Sequence, residues 1–276
     1  KSHAAAYSLL AYHTAWIKVH YTAEFFCGNM TVEMDNTDKL KVLHEDALRE
    51  GMAFEPPDVN RGSYRFEPVG DKLIRYGLGA IKGTGQQAIE AIVAARDGQG
   101  TGPQGETKGP FKSLFDFCVR VDHARINKRT VEALIKAGAF DRLGNNRHSH
   151  VEAVEGILKS IETDTRRNLD GQLDLFSVMS GGEQDAAQED RYEIRQLPEY
   201  SHAELLQQEK EVSGLYLSGH PLDAYREQSA RIASHTIKDL TGEDAHVKDG
   251  EKVRIVCAVV KSRMMTTKSN SMMAFT

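Results

Sequence analysis

Between Asp164 and Tyr200 the chain shows no hydrophobic period of any kind. A helix needs apolar residues every three or four positions and a half-buried strand needs them at every second one. A stretch this rich in Asp, Glu, Gln, Gly and Ser supplies neither, and is expected to be an extended or disordered linker. No single core can therefore run through the 276 residues, and length agrees, because single cores stop growing near roughly 250 residues. The expected architecture is mainly α and multidomain, with folded parts on both sides of the linker.

The charge is unevenly placed. The net formal charge is -5, which argues against wholesale coating of nucleic acid. Between Lys108 and Arg147, however, lie Lys112, Arg120, Arg125, Lys128, Arg129, Lys136 and Arg142, whereas the stretch from Glu183 to Glu211 is dominated by Asp and Glu. Acidic pairs such as Glu183 and Asp185 read as a solvated run, not as metal ligands. The three cysteines, Cys27, Cys118 and Cys257, are too far apart to suggest zinc or a disulfide framework, and they read as buried small hydrophobes. No apolar run approaches the roughly 18 residues of a membrane span. With no export signal at the start, a cytoplasmic location is expected.

Local patterns predict the elements. Leu9, Tyr12, Trp16 and Val19, with Leu10, His13 and Ile17 beside them, give a first helix with a broad apolar face suited to burial between other helices. Thr22 is placed to cap a short helix that Gly28 ends, and a third helix runs from about Thr37 to Glu50, closed by Gly51. Pro56 and Pro57 force extended chain. Ala88, Ile92 and Ala95 mark one face of a helix, after which RDGQGTGPQGETKG has the composition of a flexible loop in which no strand can form. Asn127 caps and Gly138 stops another helix, a longer one spans Arg147 to Thr163, and Ser201 to Glu204 is a capping box opening a helix that Gly214 ends. Near the C-terminus Val253, Ile255, Cys257 and Val259 alternate inward before a turn at Lys268 to Ser271.

The segment GTGQQA, Gly83 to Ala88, formally fits a dinucleotide fingerprint. No second parallel strand ending in an acidic residue follows, so the Rossmann reading fails, and the absence of Gly-Lys-Ser/Thr excludes a P-loop. A helix-hairpin-helix is left: Ile81 anchors the turn, Gly83 and Gly85 permit positive φ, and the N–H groups of the next helix start face outward for phosphate oxygens. Lys82 adds a mobile cation. An ordinary tight turn before a helix is the alternative. The basic segment nearby, with Lys128 and Arg129 opening another helix, favours contact with a DNA backbone, salt-sensitive and indifferent to sequence.

Inside the linker sits an apolar knot, GQLDLFSVM. Leu173, Leu175 and Phe176 have polar neighbours and no shared face, so they read as anchors for a pocket on another protein, with Gln172 fixing register. Burying Leu175 and Phe176 contributes about 1.5 to 3 kcal/mol each. Ordering the segment costs about 2 to 5 kcal/mol, leaving a modest, reversible affinity. The alternative is that the knot tucks back onto the chain's own helices.

The ordered series KSHAAAYSLLAYHTAW, MDNTDKL, PPDVN, GLGAIKGTG, FKSLFDFC, LIKAGAFDRLG, QLDLF and LYLSGHPL resembles the family of bacterial replicative DNA polymerase III α subunits along essentially the whole chain. The resemblance implies the helical end of a fingers domain over 1–58 and a tandem helix-hairpin-helix domain over 59–163 that grips primer-template duplex. It further implies a flexible linker over 164–200, a helical connector over 201–249 and the start of an OB-fold β-barrel over 250–276. It makes Gln172, Leu173, Asp174, Leu175 and Phe176 a sliding-clamp-binding pentapeptide and sets Lys82, Gly83, Thr84 and Gly85 against DNA, beside the Lys128 and Arg129 of the basic segment.

By the same resemblance Lys1 and His3 would meet the phosphates of an incoming nucleotide, although His3 also reads as a surface residue at a helix start. Other replicase subunits would bind outside this chain. Thr22 stands where the family usually has proline, and Gln99 to Lys108 looks like an insertion. The family's PHP domain and its palm, with the aspartates that hold Mg2+, have no counterpart here. The chain thus reads as a polymerase piece, inactive alone. A non-catalytic, clamp-tethered DNA-binding module is the alternative, and a translesion paralogue a third reading that QLDLF disfavours.

Overall fold

The computed structural model describes residues 2–102, 104–169, 192–241, 247–248, 250–259, 262–267 and 271–275. It divides into two compact units, Lys1–Ser218 and Gly219–Thr276.

The first unit opens with α1 (Ser2–His20), α2 (Thr22–Val32) and α3 (Thr37–Arg49). Ala23, Phe26, Cys27 and Met30 of α2 are buried, and they carry the packing of this end together with Leu40 and Ala47 of α3. Gly28 does not stop α2. Its φ is ordinary and the helix runs through it to Val32. Nor does the Thr22 hydroxyl cap α2; it donates back to the Lys18 carbonyl at 2.8 Å. The apolar face of α1 is uncovered, with Leu9 58%, Tyr12 65% and Val19 73% exposed, so the pattern that predicts burial finds no second surface within the described residues. The α3 prediction holds: Asn36 caps the helix and Gly51 follows it in the left-handed region.

A small sheet follows, built from β1 (Ala53–Glu55), β2 (Glu67–Gly70) and β3 (Leu73–Arg75) in the order β1-β3-β2. β1 pairs parallel to β3 and β2 antiparallel to it, with a register break between Pro68 and Gly70. The chain then enters a 3-10 turn, Leu78–Ala80, and the helices α4 (Gln86–Arg96), α5 (Leu114–Arg120), α6 (Lys128–Lys136) and α7 (Arg147–Leu169). Their core is aromatic: Phe117 sits edge-on to Phe111 at 5.0 Å and to Phe140 at 4.9 Å. Ala88, Ile89, Ile92 and Ala95 of α4 and Val131, Leu134 and Ile135 of α6 close it. Cys27 and Cys118 are buried, and desolvation pushes both thiols up to about 12, while Cys257 is exposed.

The glycine-rich loop after α4 is more ordered than its composition predicts. Arg120, 1% exposed, points into it and donates to the carbonyls of Ala95 at 2.9 Å, Thr107 at 2.7 Å and Gly109 at 2.7 Å. Asp97 and Lys108 also form an antiparallel bridge, although nothing in this loop was expected to pair as strand. A buried guanidinium with carbonyl partners satisfies backbone groups that a loop would otherwise have to leave to water.

Residues 192–200 belong to the stretch read as linker, yet they lie along α7. Tyr192 stacks on Phe115 at 6.5 Å, the Leu197 N–H donates to Ser149 Oγ at 2.9 Å, and the Leu197 carbonyl accepts from Asn146 Nδ2 at 2.6 Å. A Cβ at Gly156, in the interior of α7, would meet the Tyr192 hydroxyl, so the two elements approach closely there. The helix α8 (His202–Ser213) then starts with both halves of the capping box at Ser201 and Glu204 and ends at Gly214 in the left-handed conformation, as its sequence predicts. The pentapeptide Gln172–Phe176 lies outside the described residues.

Arg147 ties these parts together. Its guanidinium grips Asp141 with two bonds, Nε at 2.9 Å and Nη2 at 2.7 Å, and reaches Glu209 of α8 at 2.9 Å. Glu209 is fully buried, and its second oxygen accepts from the Leu217 and Ser218 N–H groups at 2.8 and 2.9 Å.

The second unit holds a 3-10 turn (Asp223–Tyr225), α9 (Arg226–Ile232), α10 (Ile237–Thr241) and an antiparallel hairpin of β4 (Arg263–Thr266) and β5 (Met272–Phe275). The alternation of Val253, Ile255, Cys257 and Val259 does not become an inward strand. Residues 251–259 carry no strand, and Ile255 is 41% and Val259 65% exposed. Alternation makes a buried face only when another layer covers it, and two paired strands are too few to provide one. The barrel start expected here is thus a lone hairpin among the described residues, with strands placed after the alternating segment.

Candidate nucleic-acid interface

The Gly83–Ala88 hairpin is built by its own short bonds. Gly83 has φ +85°, and its Cβ position faces open space. The buried Thr84 hydroxyl reaches the carbonyls of Leu78 at 2.8 Å and Ile81 at 2.6 Å, folding the turn back on the 3-10 segment. Ile81, the predicted anchor, is 1% exposed. Gly85 precedes α4 with φ -73°, so it does not use the positive φ it permits, and it offers no side-chain cap.

The helix starts of this unit differ in how they are closed. At α7 the Glu199 carboxylate accepts from the N–H groups of Arg147 at 3.0 Å and His148 at 3.2 Å, so the chain's own anion occupies that end. At α6 the Asn127 side chain takes the Thr130 N–H at 2.9 Å, leaving those of Lys128 and Arg129 without an acceptor among the described residues. At α4 the N–H groups of Gln86 and Gln87 likewise have none. Such unsatisfied donors at the positive end of a helix are suited to phosphate oxygens.

The start of α4 and the cap of α6 line one groove of about 650 Å³, with Gly83, Gly85, Gln87 and the Glu90 carboxylate on one side and Arg125, Asn127 and Thr130 on the other. In the sequence Arg125 is only one member of a basic run; its place in the groove, 51% exposed and 3.9 Å from Asp122, is a tertiary fact. Asp122 is itself held below the usual carboxylate range by the Ala124 N–H and the Thr101 hydroxyl, so it stays charged beside Arg125.

The predicted cations are distributed differently from one another. Lys82 is exposed, but it is not simply mobile: its N–H donates to the Val212 carbonyl at 2.7 Å and its ammonium to the Glu211 carbonyl at 3.2 Å, at the C-terminal end of α8. Lys128 is paired with Glu155 at 2.7 Å and lies 3.6 Å from Glu132. The ammoniums of Lys128 and Lys159 hold Glu155 down to about 2. Arg129 is exposed and has no carboxylate within ion-pair distance among the described residues. His3 is exposed and stacked on Tyr7 at 5.8 Å, far along the sequence from the groove, and Lys1 lies outside the described residues. Among the described residues no group of three or more His, Cys, Asp or Glu side chains could hold a metal ion, and no helix is long and apolar enough to cross a membrane.

Two helix starts, each preceded by a short hairpin and opening on one groove, define a helix-hairpin-helix module, and the helix-hairpin-helix motif family matches residues 51–150. Along 97% of its length the chain is homologous to bacterial DNA polymerase III α subunits, being 39% identical to that of Vibrio cholerae over 268 residues. It is 40% identical to that of Haemophilus influenzae over 271 residues, 98% of this chain, and 38% identical to that of Escherichia coli K12 over 269 residues, 97% of this chain. The chain spans 22% of the length of each of these relatives.

Proposed function

We propose that this chain is the duplex-holding part of a replicative DNA polymerase, in which backbone amides at the starts of α4 and α6 take phosphates of primer-template DNA without reading bases. The observation that carries this reading is that the starts of α4 and α6 come together on one groove, whereas the start of α7 is closed by Glu199. Homology along the chain supports the replicative setting. In this reading Gln172, Leu173, Asp174, Leu175 and Phe176 bind a sliding clamp, and other replicase subunits attach elsewhere. Lys1 and His3 approach the incoming nucleotide, residues 250–276 contribute to an oligonucleotide-binding barrel, and the work is done in the cytoplasm. In this reading Mg2+ chemistry belongs to other parts of a longer polymerase and the chain alone does not polymerise.

A carboxylate at the start of α4 tests the central claim. Gln87→Glu favours the helix through its dipole by about 0.3 to 1 kcal/mol, while placing an anion where a phosphate should sit. The expected result is unchanged or higher thermal stability together with weaker binding of unrelated duplexes to an equal degree. Unchanged affinity, or a loss confined to one DNA sequence, would overturn the phosphate assignment.

A further inference from the structure

The two hairpins are each folded by their own local bonds, so something has to set one helix start against the other. Among the described residues a single hydrogen bond joins hairpin to hairpin: Thr130 Oγ1 lies 3.2 Å from the Gly83 carbonyl oxygen, across 47 positions of sequence. The same hydroxyl lies 3.2 Å from Asn127 Oδ1, the atom that caps α6 through the Thr130 N–H. Thr130 is 4% exposed and Gly83 holds φ +85°, so both partners are fixed before any ligand arrives. One hydroxyl carries one proton, and here it is shared between the first hairpin's turn and the second hairpin's cap.

We propose that Thr130 is a positioning residue: its hydroxyl locks the α4 and α6 starts at one spacing, so that both sets of N–H groups meet phosphates of the same bound nucleic acid at once. The inference rests on the reading of the groove as a phosphate-binding surface. Its physical content is that the two ends act together. A hydroxyl that merely stabilised the fold would alter melting and leave the number of phosphates engaged untouched. Loss of the lock leaves each helix start intact and removes their simultaneous engagement.

The number of engaged phosphates is read by salt. Each phosphate neutralised by a cationic side chain contributes about -0.9 to the slope of log K against log salt; the N–H groups are uncharged, so the slope reports the exposed Arg125 and Arg129 that the second hairpin carries to the DNA. The chain, Thr130→Val and Thr130→Ser are compared by fluorescence anisotropy with a labelled duplex at several salt concentrations, with thermal melts alongside. Valine keeps the shape and removes the proton, whereas serine keeps the hydroxyl. Thr130→Val is expected to have a slope shallower by about 0.9. Its affinity deficit relative to the unaltered chain then shrinks about 3.5-fold between about 50 and about 200 mM salt. Thr130→Ser should regain the original slope even if its melting temperature falls. A wild-type slope in Thr130→Val, or equal slopes in the valine and serine variants, overturns the positioning role while leaving the groove reading in place. Failure of the unaltered chain to bind duplex in a salt-dependent way overturns both.

Discussion

Replacing Arg147 by methionine probes the junction that holds α8, and with it the Lys82 hairpin, in place. The magnitude follows from what is left behind. Asp141 loses a two-pronged partner, but its side chain is 47% exposed and water can replace the guanidinium, so that side accounts for no more than about 1 kcal/mol. Glu209 is different: its side chain is fully buried and would keep only the Leu217 and Ser218 N–H groups. Breaking a buried pair on one side costs about 3 to 5 kcal/mol. Arg147→Met should therefore destabilise the first unit by about that amount, and Asp141→Asn by under about 1 kcal/mol. In the double variant Arg147→Met/Glu209→Leu no unpaired buried charge remains at this junction, so it should be clearly more stable than Arg147→Met alone. Urea unfolding followed by far-ultraviolet circular dichroism gives all three values, and Glu209→Leu alone completes the cycle that isolates the coupling. Equal losses in Arg147→Met and Asp141→Asn would refute the reasoning, because they would show that the exposed half of the cluster carries the energy. So would a double variant that is the least stable of the set.

Two further outcomes are expected. Glu155→Gln removes the partner that holds Lys128 at 2.7 Å, and the released ammonium should steepen the salt dependence of duplex binding by up to about 0.9; an unchanged or shallower slope in anisotropy titrations would show that Lys128 does not reach DNA. Leu175→Ala/Phe176→Ala should abolish capture of the chain by a purified sliding clamp without loss of helical signal, and retained capture in a pull-down would remove the pentapeptide assignment.

Several elements were legible because their causes are local. Asn127, Gly138 and the Ser201–Glu204 box act within one turn of the residues they close, and each appears where its sequence predicts. The face Ala88, Ile92, Ala95 is likewise set by helical period alone. Other expectations failed for a common reason: a pattern states what could be buried, not whether anything comes to bury it. The apolar residues of α1 and the alternation at 253–259 both lack a covering layer among the described residues. Gly28 shows the converse, since a glycine ends a helix only where its conformation is used, and here neighbouring buried residues carry α2 through it.

The sequence by itself determined the bounds of α3, α6 and α8 and the glycine turn before α4, because those depend on neighbours a few bonds away. Tertiary structure decided how each functional group is used. Lys82 was assigned to the end of α8, 129 positions distant; Arg147 to Glu209, 62 positions distant; Lys128 to Glu155, 27 positions distant; and Thr130 to Gly83, 47 positions distant. A cation or hydroxyl takes the partner that the folded chain brings within about 3 Å, and no local pattern encodes that distance.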